Sequence, residues 1–334
     1  MRVDGGLMGD LAGAPAQAKH LESLGYHGAV TTETSHDPFF PLLLAARETE
    51  NIELVTSIAV AFSRTPMNLA YIGHDLNSFS KGRFVLGLGS QIRPHITKRF
   101  SMPWSQPAAR MREFISAMHA IWDCWHNGTP LSFQGDFYTH SLMTPMFMPL
   151  DSEYGAPKVF LAAVGPLMTA VAGEVADGVI MHPFTTEKYL REVTLPAIEK
   201  GLAKAGRSRG DFEISYPGFI VTGNTEEQFN ATKLAVCKQI AFYGSTPAYE
   251  PVLAVHGWGD LQPELHKLSK QGKWDEMGTL ITDDILEEFA TVAEIDDVVD
   301  KFKNRYGGLV DRTMCSFPAR DDDHAKELLA KLSA

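Results

Sequence analysis

Eight short apolar runs, each followed by a segment of helical period, constrain this chain more than any other feature. The runs are Arg2 to Asp4, Gly28 to Thr32, Ile52 to Val60, Phe84 to Leu88, Val159 to Val164, Gly178 to Met181, Phe212 to Val221 and Arg312 to Phe317. The helical segments are Ala14 to Leu24, Pro41 to Glu50, Asn68 to Ser80, Ala108 to His126, Leu167 to Val175, Lys188 to Ala205, Glu226 to Tyr243 and His324 to Leu332. Short β-branched runs bury a strand and a period of about 3.6 residues buries one face of a helix, so their alternation predicts parallel strands joined by helical crossovers. Eight such units close the sheet on itself, which predicts an α/β fold of the (β/α)8 TIM-barrel type.

Local punctuation supports the elements. Thr225 followed by Gln228 is a capping-box pattern, and Gly25, Gly82 and Gly206 stand where helices should stop. Two stretches break the repeat: 127–158, with a hairpin-like LSFQGDFYTH, and 244–295, which carries GSTPAYEPVLAVHGWGDL. We read them as insertions after the fourth and seventh helices of one domain spanning 1–334, placed to cover or shape a site.

Composition narrows the function. With 334 residues, 44% of them hydrophobic, the chain can bury a full core. A formal charge of -11 argues against nucleic acid and acidic membranes as partners, because such binding needs clustered Lys and Arg. No apolar run approaches the roughly 18 residues of a membrane span and MRVDGGLMGD lacks the order of a signal peptide, so a cytoplasmic location is expected. Cys124, Cys237 and Cys315 are too few and too scattered for a disulfide framework or a CxxC metal site. The expectation is small-molecule chemistry without a metal.

In a barrel, function sits at the C-terminal rim of the strands. The polar residues falling there are Glu33, Thr34, Ser35, His36 and Asp37 after the second strand, Ser57 within the third, Ser90, Gln91, Arg93 and His95 after the fourth, and His182 after the sixth. Ala163-Val164-Gly165-Pro166 ends the fifth strand and opens a helix. Glycine lets backbone approach a ligand, proline suits the first helical position, and the free N–H groups of the next turn could seat a phosphate. The same four residues could equally make a tight turn and nothing more. KGRFVLGLGS, with Gly87 and Gly89, lacks the third glycine and the helix of a dinucleotide fingerprint.

Four segments, ELVTSIAVAFSRTPMNLA, KGRFVLGLGS, ARMREFISAMHAIWD and LAAVGPLMTAVAGEVADGVIMHP, in this order and spacing, resemble the bacterial-luciferase-like monooxygenase superfamily. With RYGGLVDRTMCSF near the end, the chain looks most like the branch that uses coenzyme F420, a 5-deazaflavin. The resemblance implies that Ser57 and Ile58 form a cis-bonded bulge against the cofactor ring. It implies that Gly89, Ser90 and Gln91 contact the cofactor and that Ala163, Val164 and Gly165 hold its phosphate end. Glu33 would border the ring or serve proton transfer, and His182 would touch substrate. Where many members carry a histidine this chain has Thr34, beside the substrate, so His36, two residues on, becomes the candidate acid or base.

The expected activity is hydride transfer between F420 and a small, fairly apolar organic substrate, with an FMN-dependent monooxygenase as the alternative cofactor chemistry and a noncatalytic cofactor-binding barrel as a remoter one. The first strand offers VDGG rather than the HxH of a metal hydrolase, and Lys81 and Lys158 precede their strands, unlike a Schiff-base lysine. The family also implies a homodimer. Arg64, Arg93, Lys98 and Arg99 are candidates for a basic patch facing the anionic tail of F420.

Overall fold

The computed structural model describes residues 1–150, 153–314 and 317–334. Eight parallel strands form the expected barrel: β1 (Arg2–Gly6), β2 (Gly28–Thr31), β3 (Glu53–Thr56), β4 (Phe84–Gly89), β5 (Lys158–Ala163), β6 (Gly178–Met181), β7 (Glu213–Tyr216) and β8 (Arg312–Thr313). Each pairs with its successor, and β8 returns to β1 with Arg2 opposite Arg312 and Val3 opposite Thr313. Of the expected last run, Arg312 to Phe317, residues 315 and 316 lie outside the described residues, and the strand is described over Arg312–Thr313. Helices α1 (Ala14–Leu24), α2 (Phe39–Glu48), α3 (Pro66–Phe79), α4 (Pro107–Asn127), α5 (Pro166–Val175), α6 (Leu195–Lys204), α7 (Glu226–Gly244), α8 (Val298–Tyr306) and α9 (Asp322–Ser333) complete the frame.

The barrel interior is filled by large side chains, Val30, Val55, Val85, Phe160 and Ile180, so it is a packed core rather than a channel. A larger apolar layer, including Leu54, Leu86, Phe114, Trp122 and Phe302, lies between strands and helices. A separate cluster built on Phe219, Ile240, Leu265 and Phe289 packs beneath α7.

Four expectations need correction. The run Ile52 to Val60 is not one strand: β3 ends at Thr56, and Ala59–Val60 resumes pairing along the end of β4. The run Phe212 to Val221 divides at Pro217-Gly218, beyond which Phe219–Val221 leaves the barrel and pairs in parallel with Ala290–Val292. Proline cannot donate to a ladder, which gives the break its cause. Helix α8 lies where no helix was expected, immediately before β8. The capping pattern at α7 is also offset by one: Thr225 Oγ1 accepts the Gln228 N–H at 3.2 Å, while Gln228 Oε1 accepts from Asn224.

Of the two irregular stretches, the first contains the antiparallel pair Phe133–Gln134 and Thr139–His140. Its turn is gripped by Glu113 of α4, whose carboxylate accepts N–H bonds from Asp136 and Phe137 at 2.9 and 2.7 Å. The second folds into the short helices Glu250–Ala254, Leu261–Lys270, Trp274–Gly278 and Asp283–Phe289.

Charges are concentrated at the N-terminal end of the barrel. Arg312 Nη2 donates to Asp4 Oδ1 at 2.8 Å and its Nε donates to Asp4 Oδ2, while Nη1 reaches Glu53 Oε2 at 2.6 Å. Arg2 Nη2 approaches Glu53 Oε1 at 2.7 Å. Burial alone would push the Arg312 guanidinium down, but Asp4 and Glu53 outweigh it and hold it above its ordinary value. Gly28 on β2 packs so closely against this pair that any Cβ there would collide with the Asp4 carboxylate.

A second carboxylate closes a loop. Glu22 accepts N–H bonds from Glu50, Asn51 and Ile52 at 3.0, 2.6 and 2.9 Å. Burial would raise its carboxyl, but these bonds together hold it below the ordinary value of 4.5. A folded-state value below the unfolded one contributes stability that is fully present above the unfolded value and is lost as pH falls through the folded one. Glu22→Gln is therefore expected to lower stability at neutral pH and to flatten the loss below pH 4.5. Urea midpoints measured across that window check it; parallel curves for the two proteins would refute it.

Candidate active site

The rim is shaped by the break in β3. The Ser57–Ile58 peptide bond is cis, as the resemblance implied. Ser57 N–H donates to the Thr31 carbonyl at 2.7 Å and Thr56 Oγ1 to the Gly87 carbonyl at 2.8 Å, so both neighbouring strands hold the bulge. Gly87 is forced at its position because a Cβ would run into the Thr56 carbonyl. Ile58 is half-buried and packs on the interior cluster with Ala162 and Met314. A Cβ at Gly89 would come within 2.9 Å of its Cδ1, so the glycine leaves the room that Ile58 occupies.

Glu33 is tied to this bulge. Its Oε2 accepts the Val60 N–H at 2.7 Å and Arg64 Nη1 at 2.7 Å, and its side chain is only 6% exposed. Arg64 Nη2 continues to Asp37 Oδ2 at 2.9 Å, and Asp37 Oδ1 accepts the Phe39 N–H at 2.9 Å. Arg64 is thus committed to two carboxylates rather than to a basic patch. Arg93, Lys98 and Arg99 remain exposed on the loop after β4, and Arg99 Nη2 donates to the Thr34 carbonyl at 2.8 Å.

Thr34 and His36 are exposed and share one pocket of about 460 Å³ between the loops after β1 and β2. Its apolar wall includes Leu7, Met8, Leu11 and Phe40, and Glu33 lies outside it. The lining contains no lysine or arginine, and its one carboxylate, Asp37, is already paired. Such a surface suits a neutral, largely apolar molecule better than an anion.

Around the rim, Gln91 adopts a φ of +57° and folds back so that its Oε1 accepts the Ile92 N–H at 2.9 Å, while Ser90 Oγ donates to the Gln91 carbonyl at 3.2 Å. At the end of β5, Ala163 is buried, and Val164 just beyond it is exposed. Gly165 has φ 76° and ψ 160°, with open space where a Cβ would stand. Its carbonyl accepts both the N–H and the hydroxyl of Thr169, at 3.2 and 2.9 Å, which fixes the start of α5 behind Pro166. The first-turn N–H groups of Leu167 and Met168 have no partner within the helix.

His182, directly after β6, stands apart from His36 in an aromatic setting. It stacks on Tyr249 at 4.7 Å and meets the edge of Tyr243 at 4.6 Å. Burial pushes its imidazole down to about 4 and the Tyr249 phenol up to about 12. Sequence reading missed both tyrosines; the only signal was that the stretch from 244 onward should cover the site. Among the described residues, no cluster of three or more His, Cys, Asp or Glu could hold a metal, and no helix is long and apolar enough to cross a membrane.

The sequence model of the luciferase-like monooxygenase family matches residues 2–312. The chain belongs to that family. An uncharacterized protein of Mycobacterium tuberculosis is 53% identical to this luciferase-like chain, over 97% of it and 95% of the relative. A 5,10-methylenetetrahydromethanopterin reductase of Archaeoglobus fulgidus is 25% identical over 87% of this chain and 86% of its own. The solved coenzyme F420-dependent tetrahydromethanopterin reductase of Methanopyrus kandleri shares the fold, with a TM-score of 0.78 at 22% identity across 98% of this chain and 96% of that one.

Proposed function

We propose that this luciferase-like protein is an F420-dependent oxidoreductase acting on a small, fairly apolar organic substrate. The observation that carries the reading is Ile58, which stands half-buried over the filled barrel and beside the room left by Gly89, and so offers a flat apolar wall at the rim. The open backbone at Gly165 suits the phosphate end of such a cofactor, since unpaired N–H groups at a helix start attract anions without a cationic side chain. A reductase among the relatives, and a reductase of the same fold that is coenzyme F420-dependent, support the same chemistry.

When bound, the deazaflavin would supply or accept a hydride at its C5. The chain's own residues would do the rest. Ile58 would flank one ring face, with Gly89, Ser90 and Gln91 along the ring and Ala163, Val164 and Gly165 at the phosphate end. The pocket of Met8, Leu11 and Phe40 would hold the apolar body of the substrate beside Thr34. His36, exposed in that pocket, is the group we assign to hold or deliver the proton. Glu33 we assign to positioning, because its carboxylate is committed to Val60 and Arg64.

Separate titrations with F420 and FMN test the proposal. F420 should bind at micromolar concentration; FMN binding in that range with none for F420 would replace this reading with the FMN-dependent monooxygenase.

A further inference from the structure

We infer that His182 is a fixed, neutral hydrogen-bond donor that presents Nε2–H to an uncharged acceptor oxygen of the substrate, a carbonyl or the alcohol derived from it. The inference rests on the oxidoreductase reading only in taking the barrel rim as the substrate site.

The tautomer follows from one bond. The Phe184 N–H donates to His182 Nδ1 at 3.1 Å. A neutral imidazole that accepts at one nitrogen carries its proton on the other, so the hydrogen is on Nε2. Nothing nearby favours a second proton. The titratable groups facing the ring are Tyr243 from α7 and Tyr249 from the turn Pro247–Tyr249, both phenols rather than carboxylates. No carboxylate among the described residues pairs with it, and burial holds it far below its ordinary value. Nε2 has no hydrogen-bond partner among the described residues and His182 is only partly buried, so this donor is free to meet a ligand at the rim.

Neutrality then selects the ligand. A carboxylate or phosphate would be best met by an imidazolium, a form that burial without a paired carboxylate disfavours in this ring. An uncharged oxygen needs one donor at a fixed angle. The tyrosine rings hold that angle, with Tyr249 stacked at 28° and Tyr243 nearly perpendicular at 86°. The cation-free lining of the pocket that holds His36 carries the same preference for uncharged molecules.

The experiment is nitrogen NMR on the full chain with ring-labelled histidine, the His182 signals being assigned by their loss in His182→Gln. We expect a protonated Nε2 and a bare Nδ1, unchanged between about pH 5 and 8. Cyclohex-2-en-1-one should shift Nε2 and its carbonyl-free analogue cyclohexene should not. His182→Phe, which keeps a ring but removes the donor, should weaken the enone by about five- to tenfold, and His182→Gln should recover most of that by placing an amide N–H in the same region. A proton on Nδ1, titration within that pH window, or the same response to both probes, including none to either, overturns the inference. The measurements are repeated with F420 present: enone shifts at Nε2 in a protein that binds no F420 would sink the cofactor reading while leaving this one standing.

Discussion

Replacing Arg312 with methionine is expected to destabilise the protein by about 3 to 5 kcal/mol, among the largest single-residue effects it should show. Arg312 is 1% exposed and satisfies both oxygens of Asp4, itself 2% exposed. Methionine fills much of the space but leaves the Asp4 carboxylate buried without its cation, and the cost is that orphaned charge rather than lost packing. Asp4→Asn added to Arg312→Met should therefore recover part of the loss, since the amide carries no charge to strand. Urea unfolding of the two single variants and the double variant decides the matter. Additive losses would show that the two side chains do not act as a pair.

Ile58→Gly is expected to leave the fold standing and to lower kcat/KM by about 100-fold, with F420 bound more weakly. The half-buried side chain supplies the apolar wall beside Gly89, and its removal opens room in which a ring could shift by about 1 Å, enough for such a loss in rate. Ile58→Val, one methylene shorter, should retain most of the activity. F420 titration and steady-state rates for both variants test this. Wild-type rates in Ile58→Gly would show that Ile58 is not the wall.

The barrel was legible because alternation of strand and helix periods is local, and each of the eight apolar runs overlaps a barrel strand. Two misses were also local and could have been avoided. Pro217-Gly218 inside the seventh run is a break signal, and Val298, Val299, Phe302 and Tyr306, all buried in α8, are spaced as one helical face. The other gaps had a different cause. Arg64 looked like free surface charge until the fold brought it to Glu33, 31 residues away, and Arg312 meets Asp4 across 308 residues. Tyr243 and Tyr249 became visible only when α7 and the turn after it were seen against His182. Long-range pairing of charges and rings carries no periodicity, so no pattern along the chain announces it. The rim candidates themselves came from resemblance and strand counting, whereas the commitment of Glu33 to Arg64 and Val60 emerged from geometry.

Closure between β8 and β1 sets a condition on how this chain can be made. Arg2 and Val3 find their partners in Arg312 and Thr313, so the first strand emerges from the ribosome more than three hundred residues before its second neighbour exists. Throughout synthesis it has β2 on one side and an unpaired row of amides and carbonyls on the other, with the Asp4 carboxylate waiting for a guanidinium not yet translated. Unpaired edges recruit other strands, and contacts this distant in sequence form slowly. A chain released short of Arg312 would keep that edge and that charge for good, which makes the final portion of the sequence the clasp of the barrel rather than an appendage to it.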